Sequence, residues 1–319
     1  MQFRKIEIKD FDTIKKIQAT TQYNGSDFSE LYLRGWLLYD FAQMQISIDD
    51  TNEIVYIRFI PSENVFGIRE GSDYCYLSPL CRQGNIPFAV EQIVNFCAEN
   101  NEDMRICGMP RAYAEMLNSD KFSFEDNADY REYLYSPTAL IELGGKKYHS
   151  KRNHIARFLM QYSDRENAEE NYVFRPYTTD DRKGIRKLMR GWQETKDFDD
   201  DALANETEEN MVLEKALEFV QEKDNFFCNV IEINHAIAAF TIGELTPSNV
   251  AVIHIEKADV AYDGIYPAIN QMFVKAHFAN ARFVNRQEDM GLEGLRKSKS
   301  SYYPIGFVEQ CVVRLKESE

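Results

Sequence analysis

The 319-residue chain contains no uninterrupted apolar run that approaches the roughly 18 residues of a membrane-spanning helix. Its first residues, 1–5, lead into an amphipathic segment and not into the continuous apolar stretch of a signal peptide. The six cysteines are scattered without a Cys-x-x-Cys pair, which argues against a zinc site and a disulfide framework. We therefore expect a cytoplasmic protein that holds no metal and keeps its cysteines as reduced, mostly buried thiols.

Positive charge is also scarce, because 37 Lys and Arg residues stand against 52 Asp and Glu residues and give a formal net charge of -15. A broad nucleic-acid surface normally needs a basic stripe, so the composition argues against one and leaves room only for a local contact. Basic residues cluster at 146–157, directly after Gly144-Gly145, where we predict that a strand at 139–143 turns toward a helix. This cluster is either a solvated helix face or an anion site at a helix N-terminus.

Composition and length predict an ordered globular protein of about two domains, with 44% hydrophobic and 13% aromatic residues. Two short motifs recur in the two halves. The first is Phe3-Arg4 with Asp10, repeated as Phe174-Arg175 with Asp181. The second is Leu33-Arg34-Gly35-Trp36, repeated as Met189-Arg190-Gly191-Trp192. The repeat predicts an internal duplication in which the chain's two tryptophans occupy equivalent helices.

The hydrophobic periodicity gives the same order of elements in both halves. Predicted strands lie at 3–8, 45–48, 54–60 and 74–77 in the first half and at 172–176, 227–233, 236–245 and 250–257 in the second. Predicted helices lie at 10–19, 31–41, 87–99, 181–195, 208–223 and 266–279. This order indicates an α+β protein whose mixed, mostly antiparallel sheets are flanked by helices. We place the domains at 1–134 and 135–319, with the boundary at the restricted backbone before Pro137.

The end of the chain resembles the GNAT acyltransferase fold. A strand-like segment at 281–285 ends in Asn285, a helix follows, and Tyr302 stands shortly before Gly306-Phe307. In that fold an Asn closes the fifth strand, and a Tyr precedes a Gly-Phe turn into the final hairpin. The resemblance implies that Tyr302 donates a proton to the leaving group of an acyl transfer, as a phenol can.

Three segments narrow the resemblance, and they lie at 145–158, 254–258 and 285–299. Together they resemble the family named for the C-terminal domain of phosphatidylglycerol lysyltransferase, whose unit is a tandem of GNAT-like domains. Characterised relatives use aminoacyl-tRNA as donor, and the lipid-modifying members transfer the aminoacyl group to phosphatidylglycerol. The resemblance therefore implies an aminoacyl donor, and it leaves a small molecule, a peptide or a lipid as the acceptor.

The loops that would hold CoA are poor candidates for that role. Acetyl-CoA enzymes of this fold bind the pyrophosphate through successive amides of a glycine-rich turn. The corresponding loop at 260–267 has one glycine, Gly264, beside the carboxylate of Asp263, and the loop at 80–87 has one glycine with Arg82. We therefore expect no CoA cofactor and an aminoacyl-tRNA donor, whose α-ammonium requires an anionic partner.

Strand alternation places His254 and Glu256 on one face of their strand. Glu256 is either a general base with a raised pKa or an ordinary partner of neighbouring strands. His254 is expected to be a hydrogen-bonded core residue. Glu288 and Asp289 precede a helix, where they either complement its N-terminus or bind the aminoacyl ammonium.

The predicted catalytic residues are Glu256, Asp289 and Tyr302, with either carboxylate as base or ammonium anchor and Tyr302 as acid. The predicted substrate-binding residues are Lys151, Arg152, Asn153, Asn285, Arg286, Glu288, Lys299 and Ser301. The basic stretch that contains Lys151 would hold phosphates of the tRNA acceptor end. The leading hypothesis is an aminoacyl-tRNA-dependent transferase. The alternatives are an acyl-CoA-dependent N-acyltransferase and a catalytically silent binding module.

Overall fold

The computed structural model describes residues 1–35, 44–60, 74–162, 172–193 and 200–316. The chain divides into two compact units. Unit 1 contains Met1–Leu134, Thr246–Asn249 and Gln287–Glu319, and unit 2 contains Tyr135–Leu245 and Val250–Arg286. The first division between the units lies between Leu134 and Tyr135. The segment Gln287–Glu319, by contrast, packs with the first half of the chain.

Unit 1 contains a mixed sheet with flanking helices. Its elements in the first half are β1 (Arg4–Lys5), α1 (Asp10–Gln18), α2 (Glu30–Gly35), β2 (Gln45–Asp49), β3 (Ile54–Phe59), β4 (Cys75–Leu77), α3 (Ile86–Asn100), β5 (Arg105–Pro110), α4 (Arg111–Ala114), β6 (Phe122–Asp126) and β7 (Glu132–Tyr135). β7 ends one residue beyond this unit.

Unit 2 repeats this order of strands and helices. Its elements are α5 (Pro137–Glu142), α6 (His149–Tyr162), β8 (Tyr172–Pro176), α7 (Arg182–Gln193), α8 (Asp200–Glu222), β9 (Phe226–Ile233), β10 (Ala236–Leu245), β11 (Val250–Ala258), α9 (Ile265–His277) and β12 (Phe283–Asn285). The chain then returns to unit 1 with α10 (Glu293–Ser300), β13 (Gly306–Val308) and β14 (Gln310–Leu315).

The sheet of unit 1 takes one inner strand from the end of the chain. Its strand order is β1-β2-β3-β4-β5-β14-β6, and β4–β5 is its parallel pair. β14 lies antiparallel to both β5 and β6, and its residues Cys311 and Val313 belong to the core of unit 1. Because an inner strand supplies two ladders of hydrogen bonds, the C-terminal segment completes the first sheet.

In unit 2 the strands follow the order β12-β11-β10-β9-β8. β8 to β11 are antiparallel, and β11 pairs in parallel with β12. Helices α5 and α6 pack against α9, and the core of this side includes Tyr148, Phe158 and Ile269. Both units therefore contain a mostly antiparallel sheet flanked by helices, as the sequence predicts.

The strand predicted at 139–143 is wrong, because these residues form most of helix α5. The Ser136 hydroxyl accepts a hydrogen bond from the backbone N–H of Ala139 at 3.3 Å and caps the helix. Pro137 occupies the first turn, where its missing N–H costs nothing. Leu143 ends the helix in the left-handed region with φ 48°. These local end signals outweigh the strand propensity of the short apolar run.

The first repeated motif has the same structure in both units. Arg4 forms a bidentate ion pair with Asp10 at 2.7 and 2.6 Å, and Arg175 pairs with Asp181 at 2.7 Å through both nitrogens. Each aspartate also accepts a backbone N–H three residues before it, at 2.8 Å in unit 1 and 2.7 Å in unit 2. In the second motif Trp36 lies outside the described residues. Trp192 belongs to α7, but its side chain also lies outside them.

The sequence also leads to expectations about disulfides, metal sites and membrane-spanning helices. All six cysteines are buried thiols without disulfides. Within the described ranges, no group of three or more His, Cys, Asp or Glu side chains is arranged to hold a metal ion. Among the helices of the described parts of the chain, none has the length and apolar character needed to cross a membrane.

Candidate functional site

In unit 2 the parallel pairing of β11 with β12 ends before β11 does, and we call the side of β11 beyond this point the opening of unit 2. β11 pairs with β12 only from Val250 to Val252, opposite residues 283–285. From residue 253 onward, β11 is no longer paired with β12. His254 and Glu256 lie on this part of β11, while Asn285 and Arg286 stand where β12 ends. The opening thus brings together polar residues of both strands.

Glu256 is held by two donors at this opening. Its Oε1 accepts a hydrogen bond from Nη2 of Arg286 at 2.9 Å, and its Oε2 accepts one from Nδ2 of Asn270 at 2.9 Å. The side chains of Glu256 and Arg286 are only 9% and 12% exposed. Arg286 also lies 5.8 Å from the centroid of the Tyr135 ring. Glu256 therefore positions Arg286 and Asn270 at the edge of the opening.

Lys151 approaches the same ion pair from helix α6. Burial and, to a smaller extent, repulsion from Arg286 lower the pKa of Lys151 to about 8, against an opposing attraction to Glu256. Two cationic side chains, those of Lys151 and Arg286, thus lie near the Glu256 carboxylate. Such an arrangement suits an anionic group such as a phosphate or a developing oxyanion.

Arg152 and Asn153, which were also predicted to contact phosphate, have other hydrogen-bond partners. Nη1 of Arg152 donates to the carbonyl oxygen of Leu143 and, at 2.7 Å, to that of Gly145. Arg152 therefore stabilises the C-terminal end of α5. Nδ2 of Asn153 lies 3.2 Å from Nδ1 of His149 on the exposed face of α6. Of the three, Lys151 is the residue that the structure brings to the ion pair of Glu256.

The loop before α9 packs against helix α6. Asp263 lies 3.0 Å from Nδ1 of His154 and 3.0 Å from Nη1 of Arg157. Gly264 has φ 83°, and a Cβ atom at this position would lie 2.1 Å from the carbonyl oxygen of His154. The glycine is thus needed for close contact with α6. The loop's single glycine is committed to this packing, and the Asp263 carboxylate occupies its exposed side.

Unit 1 contains a second group of polar residues around two buried carboxylates. The Tyr23 hydroxyl donates to Asp27, and Nε2 of Gln310 donates to the same carboxylate at 3.3 Å. Glu132 accepts hydrogen bonds from the backbone N–H of Ser26 at 3.0 Å and from its hydroxyl at 2.6 Å. Burial raises the pKa of Asp27 to about 6 against the opposing hydrogen bond from Tyr23.

Glu288 adds a third carboxylate to this group. It is half-buried, and its carboxylate makes no hydrogen bond or ion pair with a described residue. Its negative charge contributes to the raised pKa of Asp27, and burial and the same carboxylates raise the pKa of Tyr32. We call Asp27, Glu132 and Glu288 the acidic cluster. The three carboxylates place negative charge close together, which favours a positively charged group beside them.

Sequence reasoning found Glu288 and missed Asp27 and Glu132. Asp27 lies in the short polar loop Asn24-Gly-Ser-Asp27, where an aspartate is an ordinary turn residue. Glu132 is the first residue of the short strand β7, a position where a charged residue is ordinary in a sequence. The distinguishing feature is structural, because both residues are 4% exposed or less and a charged residue is rarely so buried without a specific reason.

Asp289 is fully engaged within unit 1. It accepts hydrogen bonds from the Tyr133 hydroxyl at 2.6 Å, from Arg296 at 2.9 and 3.0 Å, and from the N–H of Gly291 at 2.9 Å. These donors overcome the effect of burial and lower the pKa of Asp289 to about 2. The arrangement is that of an anchor for the segment leading into α10, and a direct catalytic role for Asp289 stays a prediction.

The residues around α10 mostly hold backbone groups. Nζ of Lys299 donates to the carbonyl oxygens of Gln287, at 3.2 Å, and Glu288. The Ser301 hydroxyl donates to the carbonyl oxygen of Ser298 at 2.5 Å. Tyr302 follows the helix and is 4% exposed. Tyr302 and Asp289 belong to unit 1 and Glu256 to unit 2, and a cavity lined by all three stays a prediction.

His254 is buried as predicted, but it lacks the predicted hydrogen bond. Its Nε2 lies 3.6 Å from Oε1 of Glu244, and neither atom has a hydrogen-bond partner in the described part of the chain. The Glu244 side chain is 1% exposed and that of His254 is 5% exposed. Sequence reasoning missed Glu244, since nothing in the alternation of β10 distinguishes it from an exposed strand residue.

Comparison with known structures gives similar chains along nearly the whole length. A conserved protein of unknown function from Bacteroides thetaiotaomicron is 26% identical, with a TM-score of 0.82, over 99% of this chain and 100% of that one. The C-terminal domain of a proposed lysylphosphatidylglycerol synthetase from Agrobacterium fabrum is 13% identical, with a TM-score of 0.63 over 97% and 92% of the two chains. L-PGS from Bacillus licheniformis is 13% identical, with a TM-score of 0.62 over 98% and 93%.

The last two likenesses concern the fold alone. The predicted class, a tandem of GNAT-like units with mixed, mostly antiparallel sheets flanked by helices, is confirmed. Among curated sequences, an uncharacterized protein of Mycoplasmoides gallisepticum is 25% identical over 183 residues. That match covers 57% of this chain and 56% of the relative, so the chain spans little more than half of it.

Residues 52–312 match the family described as phosphatidylglycerol lysyltransferase, C-terminal. The match includes the opening in the sheet of unit 2, Glu132 and Glu288 of the acidic cluster, and the segment around α10. It covers well over half of the 319 residues. The chain therefore belongs to the family of the phosphatidylglycerol lysyltransferase C-terminal domain, as the three sequence segments predict.

Proposed function

We propose that this protein is an acyltransferase that moves an aminoacyl group from aminoacyl-tRNA to an amine or hydroxyl acceptor. The observation that carries the proposal is the unpaired carboxylate of Glu288 beside the buried carboxylates of Asp27 and Glu132. An aminoacyl group brings a free α-ammonium that an acetyl group lacks. Such an ammonium is a charge-complementary partner for the three carboxylates of the acidic cluster.

The polar opening of unit 2 supplies the second element of the proposal. Lys151 and Arg286 present positive charge there, and Glu256 holds Arg286 in place. We assign Lys151 and Arg286 to a phosphate of the tRNA end or to the oxyanion that develops at the ester carbonyl. We assign Glu256 to positioning, since both of its oxygens accept hydrogen bonds from neighbouring side chains.

Tyr302 is proposed as the acid that protonates the leaving ribose oxygen, the role that the family resemblance implies. Asp289 is proposed to act indirectly, by holding Arg296 and Tyr133 at the start of the segment that leads to Tyr302. A reaction that consumes charged tRNA takes place in the cytoplasm. The proposal covers small molecules, peptides and lipids as acceptors.

Acyl-CoA is disfavoured as donor by the loop at 259–265. The loop offers one glycine, and that glycine packs against the His154 carbonyl oxygen of α6. The Asp263 carboxylate on the same loop repels a pyrophosphate. Titration with acetyl-CoA is expected to give no tight binding, and micromolar affinity would reverse this ranking of donors.

The proposal is tested by removing the charge on either side of the ammonium contact. The affinity of the protein is measured for a pool of charged tRNAs and for the same pool after N-acetylation, which removes the ammonium charge. Wild-type protein is expected to prefer the free ammonium by about 10-fold or more, the scale of a charge-assisted contact. Asp27→Asn and Glu288→Gln should lose this preference while their affinity for uncharged tRNA is unchanged.

Asp126→Asn is the matched control, because Asp126 is an acidic residue of unit 1 with a 70% exposed side chain outside the cluster. Turnover is followed in parallel as the transfer of a labelled aminoacyl group to hydroxylamine and to a panel of amines. Equal affinity of the wild-type protein for both tRNA pools would contradict the ammonium site. Transfer from acetyl-CoA in place of charged tRNA would contradict the proposed donor.

A further inference from the structure

The buried pair formed by Glu244 and His254 is an unusual feature of unit 2. Both carboxylate oxygens of Glu244 and Nε2 of His254 are sealed from solvent without a hydrogen-bond partner in the described residues. Buried polar atoms are nearly always paired, because leaving one unpaired forfeits its hydrogen bond to water without replacing it.

A β-bulge brings the two side chains together. The register of β10 against β11 shifts by one residue between Ile242 and Gly243, so that Glu244 lies opposite Val252. Without this shift Glu244 would lie opposite Ile253 and would point to the other face of the sheet. With it, Glu244 shares the face of Val252 and is the diagonal neighbour of His254.

Gly243 is required for this bulge. A Cβ atom at residue 243 would lie 2.7 Å from the carbonyl oxygen of Val252 and 3.2 Å from the rings of Phe273 and Phe278. A larger residue would push β10 away from β11 at the point where the register shifts. Bulges often re-aim a side chain beside an active site, and this one aims a carboxylate at an imidazole.

His254 lies at the opening of the sheet. It follows Val252, the last residue of β11 that pairs with β12, by two residues. Of its ring nitrogens, Nε2 is sealed and lies 3.6 Å from Oε1 of Glu244. The other nitrogen, Nδ1, is not sealed and makes no hydrogen bond to a described residue. The imidazole thus has a carboxylate behind it and a nitrogen available on its other side.

We infer that His254 is the general base of the acyl transfer and that Glu244 is the residue that positions it. This inference rests on the proposed function. Glu244 holds the proton of the neutral imidazole on Nε2, which leaves the Nδ1 lone pair for the acceptor. Glu244 then stabilises the imidazolium that forms, and the 3.6 Å separation shortens to a hydrogen bond as charge develops.

The step balances without another reactant. As the acceptor's nitrogen or oxygen forms a bond to the ester carbonyl carbon, its proton passes to Nδ1 of His254. The carbon–oxygen bond to the tRNA ribose then breaks. The leaving oxygen takes up a proton from an acid or from water, and the imidazolium of His254 releases its proton to solvent. The products are the aminoacylated acceptor and uncharged tRNA.

The test combines kinetics with the protonation state of the ring in the full-length protein. His254→Gln is expected to lower turnover by about 10²-fold or more, while the affinity for charged tRNA is unchanged. Glu244→Gln keeps the shape and should lower turnover by about 10-fold or more. The control is His277→Gln, since Nε2 of His277 is already hydrogen-bonded to Asn229 at 2.7 Å, and it should leave turnover within about twofold.

Long-range proton–nitrogen spectra of the wild-type protein are expected to show His254 with its proton on Nε2. In Glu244→Gln the fraction with the proton on Nδ1 should increase, a change that a purely structural role would not produce. A proton on Nδ1 in the wild-type protein, or full turnover by His254→Gln, would overturn the inference. If wild-type protein transfers no aminoacyl group to any acceptor, the proposed function fails, and the spectra alone then decide whether Glu244 orients the ring.

Discussion

Arg296 binds the carboxylate of Asp289 through two nitrogens, with Nε 3.0 Å from Oδ2 and Nη2 2.9 Å from Oδ1. The two residues are seven positions apart, at the two ends of the turn that starts α10. Nη2 of Arg296 also reaches Asp129 at 2.6 Å. The pair therefore fixes the start of α10 relative to the rest of unit 1, and with it the residues that precede Tyr302.

Asp289→Asn is expected to lower the free energy of unfolding at pH 7 by about 1–3 kcal/mol, because it removes a buried charge-assisted contact. The pKa of Asp289 is lowered from its usual value to about 2. Its stabilising effect is thus present above about pH 4 and is lost as the pH falls toward 2. Urea unfolding at pH 7 and pH 3 measures the difference between variant and wild type, which should shrink at the lower pH.

Asp129→Asn is the control for this experiment, since the Asp129 side chain is 56% exposed and also pairs with Arg296. Exposed ion pairs contribute little, so its effect should stay below about 0.5–1 kcal/mol. If Asp129→Asn lowers the free energy of unfolding as much as Asp289→Asn does, the burial of the Asp289 contact adds nothing to stability.

Asp27 should give the opposite pH dependence. Burial raises its pKa from 3.8 to about 6 in the folded protein. The folded state therefore binds the proton more tightly, and the contribution of Asp27 to stability declines as the pH rises from about 4 to 6. Relative to wild type, Asp27→Asn should gain on the order of 2–3 kcal/mol between pH 4 and pH 7. An equal difference in the free energy of unfolding between Asp27→Asn and wild type at pH 4 and at pH 7 would contradict the raised pKa of Asp27.

Lys151 reports the charge balance at the opening of unit 2. Arg286 lowers its pKa and Glu256 raises it, around a value of about 8. Arg286→Gln should therefore raise the pKa of Lys151, and Glu256→Gln should lower it. Nitrogen NMR of the lysine side chains across pH 6 to 11 measures both shifts. Lys147→Gln, a change of an exposed lysine just before α6, is the control and should leave the Lys151 titration unchanged.

Tyr302→Phe tests the proposed acid. The substitution removes one oxygen and keeps the ring, so unfolding should change little while turnover falls by about 10²-fold or more. Tyr303→Phe is the control, because Tyr303 is 43% exposed and directly follows Tyr302. Full turnover by Tyr302→Phe would show that another residue or water protonates the leaving group.

The sequence by itself determined the order and type of most elements. Alternation identified strands such as β9, β10 and β11, and apolar periodicity identified helices such as α3 and α9. The motif Phe-Arg with an Asp six residues later identified the duplication, because Arg4–Asp10 and Arg175–Asp181 are local ion pairs whose geometry depends on short spacing. The helix α5 was missed, since a cap of one hydroxyl decided a six-residue segment.

Only the tertiary structure decided which residues act together. Asp27 and Glu132 are distant in sequence, and the packing of β7 against the first loops of unit 1 brings their carboxylates close to Glu288. The one-residue shift at Gly243 decided that Glu244 faces His254, and no alternation pattern contains that shift. Chain order likewise predicts β14 as part of the second half, but its two hydrogen-bonded ladders place it inside the sheet of unit 1. Periodicity encodes which face of an element is buried, whereas long-range pairing decides which buried face it meets.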